Sequence, residues 1–154
     1  MYWLHPAVEG DLGPGVDYDI TRDPQLLGEL AYEFDDWGGD DIVQTSGYWL
    51  VSDRLAQALS TSALTGWELA PVRVSTSDVF DQLHPDGLEM PTWHRLVPVG
   101  TPTDDFTLVR RVYLCVSERA LAFLRGFDLT HARIRDESEI PPIRDAGGHP
   151  VNGS

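Results

Sequence analysis

One feature constrains this chain more than any other: a segment that occurs twice. Tyr48-Trp-Leu-Val-Ser-Asp-Arg-Leu-Ala-Gln-Ala-Leu59 resembles Tyr113-Leu-Cys-Val-Ser-Glu-Arg-Ala-Leu-Ala-Phe-Leu124, and from Val51 and Val116 onward the two align without a gap at an offset of 65. Val51, Ser52, Arg54, Leu59, Leu64 and Thr65 match Val116, Ser117, Arg119, Leu124, Leu129 and Thr130, with Asp53 facing Glu118. Each copy opens on a short apolar run, Tyr48–Val51 or Val112–Val116, that suits a buried strand. A Ser follows, whose hydroxyl can accept an orphan N–H at a helix start, and then an acid in the first turn, where the helix dipole favours negative charge. Leu55, Ala58 and Leu59, and Ala120, Leu121 and Leu124, recur at helical spacing. The helices are expected to stop near Ser60–Ser62 and Gly126, and second strands to follow at Trp67–Val74 and Ala132–Ile134. If the paired strands share one sheet, their crossovers should be right-handed. A helix of about ten residues covers only one face, so the expected fold is α+β: a small mixed sheet with short helices and two similar strand–helix–strand units.

Between the copies, Ser77–Leu83 reads as a short capped helix. Trp93–Val99 reads as a strand with Pro98 at an edge or an end. Residues 9–25, Pro85–Pro91 and Gly100–Asp105 read as loops, and Leu26–Phe34 fits helix or strand. None of these breaks separates two domains. Residues 1–140 therefore form one domain, and 141–154, rich in Pro and Gly, a flexible tail.

Charge narrows the function. The 154 residues hold 25 acids and 11 basic residues, all of them Arg, for a formal charge of −14. Residues 1–50 carry eleven acids against Arg22 alone, −10 of that total. Such a field repels nucleic acid and anionic membranes. No apolar run approaches the ~20 residues of a bilayer span, and no leader peptide is recognisable. A single Cys excludes an internal disulfide framework, which fits a cytoplasmic location. The acid-rich third is also rich in rings, and acids mixed with aromatics make a surface that attracts a basic protein and anchors on it. The candidate contact residues are Asp35, Asp36, Trp37, Asp40 and Asp41, with Asp17 and Asp19 as weaker choices. The competing reading is a solvated acidic loop whose rings point inward.

No catalytic or metal motif is assembled. Ser52 and Ser117 lack the Gly-x-Ser-x-Gly surround of a nucleophile elbow, and capping explains both. Cys115 lies in an apolar run that makes a thiol inert. His5, His84, His94, His131 and His149 show no zinc spacing, and the Asp35–Asp41 turn lacks the frame of a calcium loop. No metal or cofactor is expected. The alternative is a small-ligand protein or enzyme using His94 and His131 with an acid such as Asp104 or Asp105.

Leu50-Val-Ser-Asp-Arg-Leu55, followed by Trp67-Glu-Leu-Ala-Pro-Val-Arg-Val74, resembles a segment of small bacterial immunity proteins found beside polymorphic-toxin genes. The resemblance covers residues 45–75 and 110–135. It implies a non-enzymatic cytoplasmic protein that binds and blocks a toxin, and it brings no active-site residues with it.

Overall fold

Both copies of the repeat build the unit their sequence demands, and the computed structural model, which describes residues 1–16, 28–45 and 47–142, shows how the two are joined. The elements in chain order are β1 (Tyr2–His5), β2 (Ala7–Val8), β3 (Gly10–Leu12), β4 (Leu30–Phe34), β5 (Ile42–Thr45), β6 (Tyr48–Ser52) and α1 (Asp53–Ser60). Next come β7 (Trp67–Ala70), β8 (Val72–Thr76), α2 (Asp78–Leu83), β9 (Trp93–Pro98), β10 (Phe106–Val109), β11 (Tyr113–Val116), α3 (Glu118–Leu124) and β12 (Arg133–Asp136). Ser52, Ser77 and Ser117 cap the three helices, accepting from Leu55, Phe80 and Ala120 N–H groups at 3.4, 3.3 and 3.1 Å. Asp53, Asp78 and Glu118 sit in the first turns.

The fold is a single α+β domain in three sheets, ordered β10-β11-β1-β12, β2-β5-β6-β9-β7 and β3-β4-β8. The first two are built to one plan. Each has a hairpin (β5–β6 or β10–β11), then a helix, then a strand (β7 or β12) that returns to the same sheet. The two strands of a copy are not neighbours, because a strand from elsewhere lies between them, antiparallel to both. In the first unit it is β9, which leads into the second hairpin. In the second unit it is β1.

The registers coincide. Leu4 opposes Ile134 and Leu96 opposes Leu69, while Trp3 opposes Cys115 and Arg135, and Arg95 opposes Leu50 and Ala70. Shifting the second unit's partners back by 65 turns one set into the other. The molecule is thus two equivalent units with their leading strands exchanged.

Burial follows. One core cluster joins Leu55, Ala56 and Leu59 of α1, Ala120, Leu121 and Leu124 of α3, and the inward residues of both sheets, with Leu4 and Leu96 each 1% exposed. A second cluster, Leu30, Tyr32, Phe34, Val43, Leu50, Phe80 and Trp93, fills the other face of the five-stranded sheet beneath β4 and α2. That sheet is buried on both faces, so Tyr48–Val51 reads as an unbroken apolar run.

Three expectations change. The strand placed at Trp67–Val74 is two, β7 and β8, because Pro71 offers no ladder N–H and the chain passes into another sheet there. The loop placed at 9–25 contains β3, which pairs with β4. Its remainder from residue 17, with Asp17 and Asp19, lies outside the described residues. Of the ambiguous Leu26–Phe34 stretch, 30–34 is strand, held by parallel pairing to β8. Pro98 does end its strand, although β9 is a central strand.

Candidate partner-binding site

The segment that follows β4 combines exposed acids with buried ones. Asp35 and Asp36 are exposed where the strand ends. Asp35 accepts from the Ser77 hydroxyl at 2.6 Å, and Asp36 pairs with His84 Nε2 at 2.7 Å while accepting from Trp37 N–H at 2.8 Å. The His84 hydrogen bond, ahead of the Trp37 N–H, holds the Asp36 carboxyl below the usual range. Ser77 caps α2 and His84 follows its last residue, so both ends of α2 are tied to this turn.

Beyond the turn, exposed Asp78 and Asp81 share α2 with Val79 and Leu83, which stay 53% and 56% exposed. Val79 and Leu83 are four positions apart and therefore share a helix face. The product is an acidic ridge with an apolar crest.

Trp37 is half-buried at the base. Its indole N–H donates to the Asp40 carbonyl at 2.8 Å, and its ring stands edge-on to Trp93 at 5.9 Å between centroids. It also lines a cleft of about 410 Å³ with Arg54 and Met90.

Asp40 and Asp41, expected to face a partner, are only 1% and 3% exposed and are engaged inside the molecule. Asp40 binds His131 twice, accepting the backbone N–H at 2.9 Å and meeting Nδ1 at 2.7 Å. Asp41 accepts from the Ser52 hydroxyl at 2.6 Å, from the Arg54 guanidinium, and from Asp128 N–H at 2.8 Å. Burial pushes its carboxyl up, but the hydrogen bonds from Arg54, Ser52 and Asp128 outweigh this and hold it low. The second unit repeats the arrangement at Asp105, which accepts from Ser117 at 2.6 Å, from Arg119 Nε at 2.8 Å and from Thr65 N–H at 2.9 Å. The Arg119 hydrogen bond is the main reason its carboxyl lies far below the usual range.

The crossing is reciprocal. The loop after α1 satisfies the second unit's Asp105, and the loop after α3 satisfies the first unit's Asp41. Gly66 (φ 89°) and Gly100 let the loops meet, since a Cβ on either would stand 2.3 or 2.1 Å from the Phe106 carbonyl oxygen. These Ser, Arg and Asp side chains are structural, and sequence inspection gave Asp41 and Asp105 other roles because they precede their serines by 11 and 12 positions. The interrupted offset between the two acids was the one available signal.

The other candidates separate. His94 pairs with Asp53 at 2.8 Å and His131 with Asp40, while Asp104 accepts from Thr101 N–H at 2.7 Å and Asp105 belongs to Arg119. Among the described residues no three His, Cys, Asp or Glu side chains gather as a metal site. Cys115 is buried, and burial pushes its thiol up to about 11.

His131 yields a pH prediction. Asp40 raises its pKa above the ordinary 6.5, first through the hydrogen bond and then through charge. The stabilisation is complete below the unfolded value and fades as pH rises through the higher folded one. Thermal unfolding between pH 5 and 9 should show this decline, and His131→Gln should flatten it.

Comparison of the chain with known protein families, curated proteins and solved structures finds no match in any of the three.

Proposed function

We propose that this chain is a non-enzymatic binding protein whose acidic end docks a basic protein, in the manner of an immunity protein that neutralises a toxin domain in the cytoplasm. The observation that carries this reading is the coupling of Asp35 and Asp36 to α2. Two side-chain bonds fix the turn against the helix, so four exposed carboxylates and two exposed apolar side chains are presented as one preorganised ridge. Acids steer a basic partner and raise its association rate, and the apolar crest supplies area to bury. Preorganisation lowers the ordering cost of binding.

Asp40 and Asp41 are engaged inside the molecule, and Trp37, half-buried beside the cleft, is the ring that a partner reaches. No described helix is long and apolar enough to cross a membrane.

Affinity capture from the native cells tests the reading. The wild-type chain is expected to retain a basic protein that high salt releases. Asp78→Lys combined with Asp81→Lys is expected to abolish retention at a cost of no more than about 2 kcal/mol in stability, from the lost first-turn acids and the Thr76–Asp81 hydrogen bond. Retention of no basic protein, or retention indifferent to these two changes, would contradict it.

A further inference from the structure

The two units are equivalent, but their outer faces are not. In the five-stranded sheet, the face turned away from the shared core is roofed by β4, β8 and α2 through the second core cluster. No described strand or helix of that kind roofs the corresponding face of the four-stranded sheet.

That face is defined by alternation. Phe106, Leu108, Leu114, Val116, Leu4 and Ile134 point into the shared core. The intervening positions therefore point outward: Thr107 and Val109, Tyr113 and Cys115, Trp3 and His5, Arg133 and Arg135. The segment from Glu137 to Pro141 closes one end, where Glu137 meets the N-terminal ammonium at 3.7 Å and the Arg110 guanidinium reaches the Pro141 carbonyl.

Thr107 and Cys115 are buried near that end, and among the described residues the part toward His5 and Arg133 is open and has a definite chemistry. Trp3 and Tyr113 stand edge to face at 5.2 Å and are half-buried, while His5, Arg133 and Arg135 are exposed. Next to them Trp3, His5 and Tyr113 line a pocket of about 280 Å³ with Val8 and Val112, which are 60% and 52% exposed. None of the eight outward positions carries an acid.

Arg135 lies over the Trp3 ring at 5.9 Å, and among the described residues neither its guanidinium nor that of Arg133 makes a hydrogen bond or ion pair. In a chain with 25 acids and 11 arginines, two such neighbours on one strand are conspicuous.

We infer that this outer face is a second docking surface, on which Arg133, Arg135, Trp3 and the Val8–Val112 pocket receive an acidic segment of a partner protein. An apolar side chain of that segment fills the pocket, and carboxylates two positions apart match Arg133 and Arg135, which point the same way along β12. Net charge does not forbid this, because exposed charges are screened beyond about 8 Å at physiological salt. A nucleic acid would also suit rings and arginines, but it leaves the aliphatic pocket unused and carries the denser charge for the acidic end to repel.

The test titrates the full ¹⁵N-labelled chain with three probes: a peptide alternating Glu and Leu, its Lys-for-Glu counterpart, and oligouridylate. The Glu peptide is expected to shift amides of β1, β11 and β12, and Arg133→Glu with Arg135→Glu to weaken it at least about tenfold. Arg133→Gln with Arg135→Gln should weaken it less, and Asp78→Asn with Asp81→Asn should leave it unchanged, which separates this surface from the acidic ridge. The inference fails if the Glu peptide shifts nothing on this face, if the Lys peptide binds as well, or if oligouridylate binds there more tightly.

Discussion

Asp105→Ala is expected to lower the unfolding free energy by about 3 kcal/mol, measured by chemical denaturation at neutral pH. The carboxylate takes bonds from Ser117, Arg119 and Thr65 N–H and is itself buried. Arg119, 59% exposed, regains water when the acid is lost, so most of the cost falls on the stranded hydroxyl and amide. Asp105→Asn keeps the shape and should fall between wild type and Ala. The wild-type advantage also has a pH signature. The folded pKa lies below the unfolded 3.8, so the contribution is complete above that value and is lost as pH falls through the folded one. Asp41→Ala should cost a similar amount, since Asp41 makes the equivalent contacts. A loss under about 1 kcal/mol at both sites would mean that the cross-unit stitches contribute little.

Leu4→Ala and Leu96→Ala should each cost about 3 kcal/mol, within the range for fully buried leucines. Both leucines are 1% exposed, both lie on the inserted strand of their sheet, and both enter the shared core. Their equivalence is the stronger part of the prediction: two leucines far apart in sequence should cost the same because they occupy one position of a repeated plan. Val8→Ala, at a 60% exposed site a few residues from Leu4, should stay within about 0.5 kcal/mol. Urea midpoints for the three variants decide it.

The repeat around Ser52 and Ser117 was legible because local physics writes it. An apolar run, a capping hydroxyl, a first-turn acid and helical Leu spacing each leave a mark in adjacent residues. The exchange of β1 and β9 was not legible, since Leu4-His-Pro6 and Leu96-Val-Pro98 share only two residues and stand at an offset of 92 rather than 65. Pairing between strands so distant depends on side chains that no local pattern reports. Nor could composition distinguish the acids. Asp35, Asp36, Asp40 and Asp41 look alike in sequence, but two lie on an exposed turn, and the other two turn inward to His131, 91 positions on, and to Arg54, 13 positions on across a strand. The negative field of the N-terminal third was readable, whereas its junction with the acids of α2 required knowing that Ser77 and His84 fold back onto the turn.

The two proposed docking faces depend on one rigid body, and that body depends on the exchanged strands. Native-state hydrogen exchange tests this most directly. If the units are interlocked, the amides of β1 and β9 should open together, with the same free energy and at the level of global unfolding. Two separate levels, with β1, β11 and β12 opening as a group while β6, β7 and β9 stay closed, would contradict the interlocked fold on which both surfaces rest.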